Sequence, residues 1–268
     1  MQFRQKAFSK LQSPEELDLP VRFARPQGWL VLLVTVLVMV GAGYWAVTGK
    51  VSGKLEAPGI LTHAKGSYVL QSPVSGQVTE VLAEEGTMLP ARTPVLKVRT
   101  ERGFRAVRTV APGRVTTLTA KIGSVVTTGN DVATVERVEK DDEPMVAMLY
   151  VSGSNGSTVR PGAPVDLTVQ SAPTEQYGVL RGKVKAVGRA PQTRQQISGF
   201  LGNGQLAEQF SKEGQPVAVM VQLENSASTK SGYEWSTEKG PPYKLDSMTM
   251  AEGAIHEPSQ RPVDWLLP

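Results

Sequence analysis

The sequence predicts a mainly β protein that follows a single N-terminal transmembrane helix. Of its 268 residues, 40% are apolar and 20% are charged. This balance excludes both a disordered chain and a membrane protein with many spans. One long uncharged segment lies near the N-terminus. Beyond it, Val- and Thr-rich segments are separated at short intervals by Gly or Pro, which is typical of short strands joined by tight turns.

The composition offers little material for catalysis. The chain has no Cys and only two His, which excludes disulfides, Cys-ligated zinc, iron–sulfur clusters and thiol nucleophiles. The formal net charge of +4 is not concentrated into the patch that nucleic-acid binding needs. We expect neither His63 nor His256 to have a nearby Cys, His or paired acid, and we therefore expect structural or surface roles for both. We therefore expect no enzyme activity, no cofactor, no metal site and no nucleic-acid partner.

The transmembrane helix is predicted over residues 29–47. No charged residue occurs between Arg25 and Lys50, and as a helix the uncharged residues 28–49 span roughly 33 Å, the thickness of a bilayer core. Amphipathic aromatic rings favour the membrane–water boundary, and the predicted boundary residues are Trp29 at one end and Tyr44 and Trp45 at the other. A cleaved signal peptide is the alternative, but its apolar region is usually only about 7–15 residues long. We therefore expect an uncleaved anchor.

The N-terminal tail, residues 1–28, predicts the orientation of this helix. It holds five basic residues against three acidic ones, and basic residues favour the cytoplasmic side. We expect a single-pass protein of the plasma (inner) membrane, with a cytoplasmic N-terminus and an extracytoplasmic C-terminal bulk. Phe3, Ala7 and Leu11 would share one face of a helix flanked by basic residues, which predicts an amphipathic cytoplasmic tail on the lipid bilayer. A loosely held tail is the alternative.

An internal repeat follows the membrane segment. Residues 75–98 and 112–135 align at a constant offset of 37 without a gap. The aligned pairs include Gly76 with Gly113, Val78 with Val115, Val81 with Leu118 and Gly86 with Gly123. Glycines suit turns, and alternating apolar residues suit the inward positions of strands. We predict two equivalent half-sheets that cover each other's apolar faces.

The repeat resembles a biotinyl/lipoyl-like (hammerhead) domain. Residues 72–78 (SPVSGQV) and 93–96 (TPVL) are similar to its first half, and residues 112–135 to its second. The resemblance implies a lipoyl-like domain over residues 68–138. In carrier proteins of this fold, the hairpin tip between the halves presents a Lys that takes biotin or lipoate. The corresponding tip, residues 100–105, has no Lys, so a lipoyl or biotinyl carrier component is a disfavoured alternative.

The downstream segment resembles the β-barrel domain of HlyD-type membrane fusion proteins, which are periplasmic adaptor subunits of bacterial export systems. Residues 159–169 (VRPGAPVDLTV) and 177–188 (YGVLRGKVKAVG) carry this resemblance. The implied divisions are a membrane-proximal strand or linker at 48–67, a β-barrel domain at 139–224 and a C-terminal membrane-proximal segment at 225–268. Residues 192–215 break the β pattern, which predicts one or two short helices that form either a lid on the barrel or an assembly surface.

The two ends of the chain narrow the resemblance. Residues 3–7, 11–17, 231–236 and 260–268 are similar to adaptors of bacteriocin (leader-peptide) export systems. This implies a non-catalytic adaptor subunit of an ABC-type exporter for a ribosomally made peptide. It also implies a transporter partner, which in such systems can contain a peptidase, and assembly as a homo-oligomer. A membrane-anchored binding or regulatory module that is not tied to a transporter remains the alternative.

The region between the repeat halves departs from many such adaptors, which insert a long α-helical hairpin there. Only about a dozen residues separate Val98 from Pro112, too few for a coiled coil that crosses a periplasm. We therefore do not expect an outer-membrane channel as a partner.

The same region is basic. Four arginines, Arg99, Arg102, Arg105 and Arg108, stand against Glu101 alone. They predict an electrostatic contact with a neighbouring subunit or an acidic passenger peptide. A solvated hairpin is the alternative.

Overall fold

The computed structural model of the chain describes residues 26–140 and 142–259. The predicted amphipathic tail before residue 26 and the closing motif at 260–268 lie outside these residues. The chain divides into an N-terminal unit that contains the first helix and a large unit, Ser52–Pro258. Each is described by itself below.

In the described residues of the N-terminal unit there is one helix, α1 (Pro26–Thr48). Its apolar side chains are exposed along its length, and over Gly28–Thr48 it is long and apolar enough to cross a membrane. Trp29 lies near one end, and Tyr44 and Trp45 lie near the other, about 23 Å away at 1.5 Å per residue. An apolar N-terminal helix is therefore confirmed at the predicted position.

The large unit is mainly β and contains two domains. In chain order its elements are β1 (Lys54–His63), β2 (Ser67–Gln71), β3 (Gly76–Val81), β4 (Met88–Leu89), β5 (Pro94–Thr100), β6 (Gly103–Arg108), β7 (Gly113–Leu118), β8 (Val125–Val126), β9 (Asp131–Glu136), β10 (Met145–Val151), β11 (Pro164–Val169), α2 (Thr174–Tyr177), β12 (Leu180–Val187), α3 (Arg194–Leu201), α4 (Gly204–Phe210), β13 (Val217–Leu223) and β14 (Met250–His256). Strands β2–β9 of one domain are inserted between β1 and β10 of the other.

The lipoyl-like domain consists of two four-stranded sheets, β2-β9-β7-β4 and β6-β5-β3-β8. An offset of 37 residues carries each strand of one sheet onto a strand of the other. The registers agree as well, because a bulge between Val78 and Glu80 in β3 recurs between Val115 and Thr117 in β7. Apolar residues from both sheets form one buried core between them. The sequence repeat is thus a structural repeat.

The barrel domain is a closed six-stranded barrel in the order β1-β10-β13-β12-β11-β14. It takes β1 from residues 48–67 and β14 from residues 225–268, two segments that the sequence-based division placed outside the barrel. The two strands pair with each other from Lys54↔His256 to Ile60↔Met250. A barrel leaves no free sheet edge only if its terminal strands meet, and a pairing between such distant segments has no local sequence signature.

Glycines at two facing positions make room for the centre of the barrel core. Leu149 is fully buried, and its side chain lies directly against Gly253 and against Gly59, its neighbour across the β1–β10 pair. A Cβ at either glycine would overlap the leucine. A large residue opposite small ones fills the barrel without a void.

Helices α3 and α4 occupy the predicted 192–215 region. Thr193 caps α3 through a capping box with Gln196, and α3 ends at Gly202 in the left-handed conformation. The pair packs against the outer face of the barrel, where Ile197 and Phe210 join Ile60 and Tyr150 in a buried apolar cluster. The helices therefore cover one side of the barrel.

Candidate functional site

The hairpin between β5 and β6 is the sequence-predicted site, and it is tight. Glu101 and Arg102 connect the strands. The Thr100 hydroxyl donates to the Gly103 carbonyl at 2.7 Å and accepts from the Arg102 backbone N–H at 3.2 Å. Gly103 has a φ of 100°, which other residues rarely adopt. The backbone of the tip is thus fixed by local hydrogen bonds.

The four arginines of this hairpin are exposed but do not form one patch. Arg99 lies opposite Phe104, whereas Arg105 lies opposite Val98, so Arg99 and Arg105 point to different faces of the sheet. Arg108 lies at the base of the hairpin, where its Nη1 donates to the Arg92 carbonyl at 3.0 Å. Arg108 lies four positions along β6 from Phe104, which is a distance of about 13 Å. Their predicted role in partner binding stays a prediction.

A different set of side chains shares one face of this sheet. Directly paired residues of antiparallel strands lie on the same face, and the pairs run from β8 to β6. We call this set the free row: Val125, Gln77, Arg99 and Phe104. All four side chains are exposed, with Phe104 at 58% and Val125 at 74%. Sequence reasoning missed Phe104 and Val125, although the two-residue period of the strands placed them on the outer face.

Lys97 adds a cation to the same face. Its Nζ lies 5.1 Å from the centroid of the Phe104 ring and 3.0 Å from a Glu80 carboxylate oxygen. A cation over an aromatic ring holds both side chains in place. The face thus presents an aromatic ring between two basic residues, Lys97 and Arg99.

The equivalent row of the other half-sheet is covered over half of its length. The 37-residue offset and the pairings of β4, β7, β9 and β2 define it. We call this set the docked row: Met88, Arg114, Glu136 and Ser67. Glu136 and Ser67 are buried, at 0% and 2% exposure. The same backbone surface is therefore used on one side of the lipoyl-like domain and open on the other.

Glu136 is the centre of the docked row and joins the two domains. Its carboxylate accepts from the Thr62 hydroxyl at 3.1 Å, the His63 backbone N–H at 3.1 Å and the Ser247 hydroxyl at 2.6 Å. The His63 Nδ1 lies 2.9 Å away. Burial opposes ionisation, but these neighbours outweigh it and hold the pKa of the Glu136 carboxyl below its usual range. The expectation that His63 has no paired acid is therefore wrong.

A second His–acid pair lies on the outside of the barrel. Asp166 on β11 forms an ion pair with Arg181. Its Oδ2 lies 2.8 Å from His256 Nε2 and 3.6 Å from Lys54 Nζ. Burial raises the pKa of Asp166, but His256 and Arg181 outweigh it and lower the pKa overall. The expectation that His256 has no paired acid is also wrong, because its acid comes from a strand 90 residues away. These ion pairs and hydrogen bonds connect four neighbouring strands of the barrel, β1, β14, β11 and β12.

No metal-binding arrangement is visible among residues 26–140 and 142–259: no three His, Cys, Asp or Glu residues there are placed to hold an ion. The two His–acid pairs each serve hydrogen bonding between strands or domains. The described part of the chain therefore points to surfaces and junctions as its functional features.

No protein-family model matches the chain, and no curated protein matches its sequence. Solved structures do. ZneB from Cupriavidus metallidurans has a TM-score of 0.50 at 11% identity and covers 78% of this chain and 100% of its own. MacA from Actinobacillus actinomycetemcomitans has a TM-score of 0.52 at 10% identity and covers 80% of this chain and 81% of its own.

A chimeric MacA–MexA protein that contains the Pseudomonas aeruginosa MexA α-hairpin domain is also similar. Its TM-score is 0.51 at 11% identity, with 80% of this chain and 84% of its own covered. ZneB and MacA are membrane fusion (periplasmic adaptor) proteins. At these identities the similarity shows the fold. The predicted fold class, mainly β with lipoyl-like and β-barrel domains after an apolar helix, is confirmed.

Proposed function

We propose that the chain is a non-catalytic adaptor (membrane fusion) subunit of a bacterial exporter. The observation that carries this proposal is the fold, because a lipoyl-like domain and a barrel in this order are shared with the adaptors ZneB and MacA. The apolar helix α1 supports attachment to the membrane beside a transporter. The orientation follows from the basic tail, with the N-terminus in the cytoplasm and the large unit outside.

The finer proposal is an ABC-type exporter of a ribosomally made peptide. Its support is the resemblance to adaptors of bacteriocin export systems, which residues 3–7, 11–17, 231–236 and 260–268 carry. In this proposal the adaptor hydrolyses nothing, and the energy comes from a transporter that can also contain a peptidase. Several copies would surround the exit of the peptide as a homo-oligomer.

The geometry suits a scaffold that keeps its shape. Closure of the barrel leaves no edge strand open to unwanted pairing. The Glu136 junction and the packing of α3 on β2 fix the lipoyl-like domain on the barrel. A passenger released at the membrane would then meet a defined surface on the outer side.

Co-purification tests the proposal. The full-length tagged chain is extracted from its own membrane in mild detergent after brief crosslinking, beside an unrelated single-pass protein with the same tag. We expect an ABC transporter to be retained with the chain and not with the control. Reproducible loss of every transporter from the crosslinked sample would contradict the proposal and favour a binding or regulatory module.

The arginines are tested in the same assay. Replacing Arg99, Arg102, Arg105 and Arg108 together with Gln is expected to lower complex formation or export, because it removes four exposed positive charges. Single Arg99→Gln and Arg105→Gln variants then tell which face of the hairpin is used. An unchanged complex and unchanged export would exclude an electrostatic role for the hairpin.

A further inference from the structure

The lipoyl-like domain carries the same backbone surface twice. The free row and the docked row have matching registers, since Gln77↔Arg99 corresponds to Arg114↔Glu136 and Arg99↔Phe104 corresponds to Glu136↔Ser67. Each row crosses four strands, about 14 Å at the usual strand spacing. The two rows therefore present the same backbone geometry to a partner.

The docked row shows what such a surface accepts. The end of α3 lies on it: Phe200 lies directly against Gly66, and a Cβ on Gly202 would be 2.5 Å from the Thr134 methyl group and 3.2 Å from Ser67. Thr134 also donates to the Gly202 carbonyl at 3.3 Å. The Ser67 end of the row is thus covered by a helix end, next to the buried, hydrogen-bonded charge of Glu136.

The free row differs in its chemistry. Phe104 stands at the position of Ser67, Lys97 at that of Thr134, and Arg99 at that of Glu136. The acid at the centre of the docked row is therefore replaced by a base, and a small polar residue by an exposed aromatic ring. Lys121 and Ile122, which is 70% exposed, lie in the turn before β8, and the Gln77 side chain of the free row donates to the Gly123 carbonyl of this turn at 3.4 Å.

We propose that the free row is a docking surface for an acidic amphipathic helix of a partner protein. The ring of Phe104 and the side chain of Val125 pack under the apolar face of the helix. One carboxylate of the helix pairs with Arg99, and another replaces Glu80 as the partner of Lys97. Charge complementarity decides between partners, because the surface offers cations where the docked row offers a carboxylate. Aromatic residues and Arg are enriched in interfaces, and Arg is among the residues that most often act as energetic hot spots.

Binding of two synthetic helices tests this. They have about 18 residues, five turns, and share one Leu-rich face, but the polar face of one carries Glu and that of the other Lys. The full chain is held in nanodiscs of neutral phosphatidylcholine, and fluorescence anisotropy measures the affinity. We expect the Glu helix to bind, the Lys helix not to bind, and the affinity to fall with added salt.

Variants locate the binding. Phe104→Ser and Arg99→Gln are each expected to weaken binding about tenfold or more. Two matched controls are expected to leave it unchanged: Val110→Ser, which removes an apolar side chain 76% exposed beyond the end of β6, and Arg160→Gln, which removes an exposed cation of the barrel domain. Circular dichroism verifies that all four variants remain folded.

Four outcomes overturn the proposal: no binding of the Glu helix, equal binding of both helices, wild-type affinity of Phe104→Ser, or equal losses in the controls. Flotation with phosphatidylglycerol vesicles that depends on Phe104, without binding of the Glu helix, would assign the surface to a membrane instead. The assay contains no transporter. Its failure therefore leaves the adaptor proposal standing, and failure of co-purification leaves this one standing.

Discussion

At the residue scale, the Glu136 carboxylate links strands of two domains. Its donors come from the end of β1 and from the segment before β14, while Glu136 itself ends β9. A buried charge that loses its partners is costly, whereas a fully hydrogen-bonded one fixes a single arrangement. His63 contributes both a backbone N–H and its ring to the same carboxylate.

Glu136→Gln should lower the free energy of unfolding by about 1–3 kcal/mol, because an amide NH₂ would face donors that need an acceptor. Denaturant titration of the full chain, followed by Trp fluorescence, measures it; Trp235 is buried in the barrel core. Glu80→Gln is the matched control, since its exposed ion pair with Lys97 is expected to contribute no more than about 1 kcal/mol. Equal losses of unfolding free energy in the two variants would mean that Glu136 stabilises the chain no more than an exposed ion pair does.

The pH dependence of the unfolding free energy, compared between the wild type and Glu136→Gln, tests the same carboxylate independently. Because the pKa of Glu136 is lowered on folding, its contribution is fully present above the unfolded pKa of about 4.3. It is lost as the pH falls through the lower folded pKa. The stability gap between wild type and Glu136→Gln should therefore narrow as the pH falls below about 4.3. A gap that stays constant down to acid unfolding would contradict the ionised, hydrogen-bonded carboxylate.

At the element scale, α3 is fixed at its end by a glycine that also allows close approach to the lipoyl-like domain. Gly202 has a φ of 68° and lies against Thr134. Gly202→Ala should therefore destabilise the chain by roughly 1–3 kcal/mol, through backbone strain and overlap. Hydrogen exchange at β2 should increase, because α3 packs on that strand.

Gly199→Ala in the interior of α3 is the control for this prediction. No atom lies within 4 Å of the Cβ that it would add, and alanine favours the helix by about 1 kcal/mol over glycine. Thermal unfolding should move in opposite directions for the two substitutions. Destabilisation by both would mean that α3 is sensitive to any added methyl group rather than to its contact with the lipoyl-like domain.

Elements with a local signature were predictable, and those defined by distant partners were not. The charge-free run predicted α1, the 37-residue repeat predicted the two half-sheets, and the break at 192–215 predicted α3 and α4. The pairing of β1 with β14 was missed, because nothing near residue 54 indicates a partner near residue 256. The Glu136–His63 pair was missed for the same reason. The split of Arg99 and Arg105 between two faces, in contrast, already follows from the two-residue period of strands.

At the scale of the whole molecule, the absence of cysteine makes the proposed orientation simple to test. Gln5→Cys lies in the N-terminal tail, and Ser157→Cys lies in an exposed loop of the barrel domain after β10. A membrane-impermeant maleimide added to intact cells should label only Ser157→Cys, while lysed cells should show both. Labelling of Gln5→Cys in intact cells would show the opposite orientation, with the N-terminus outside.

The pairing of β1 with β14 also bears on how the large unit could be rebuilt. The Glu257 backbone N–H donates to the Gly53 carbonyl at 3.0 Å, so the two ends of this unit, Ser52–Pro258, lie close together. A short peptide joining them, with new ends opened in the exposed loop near Ser157, would give a circular permutant with the same barrel. In such a molecule the covalent order of the strands changes, while every hydrogen-bonded neighbour in the barrel stays the same.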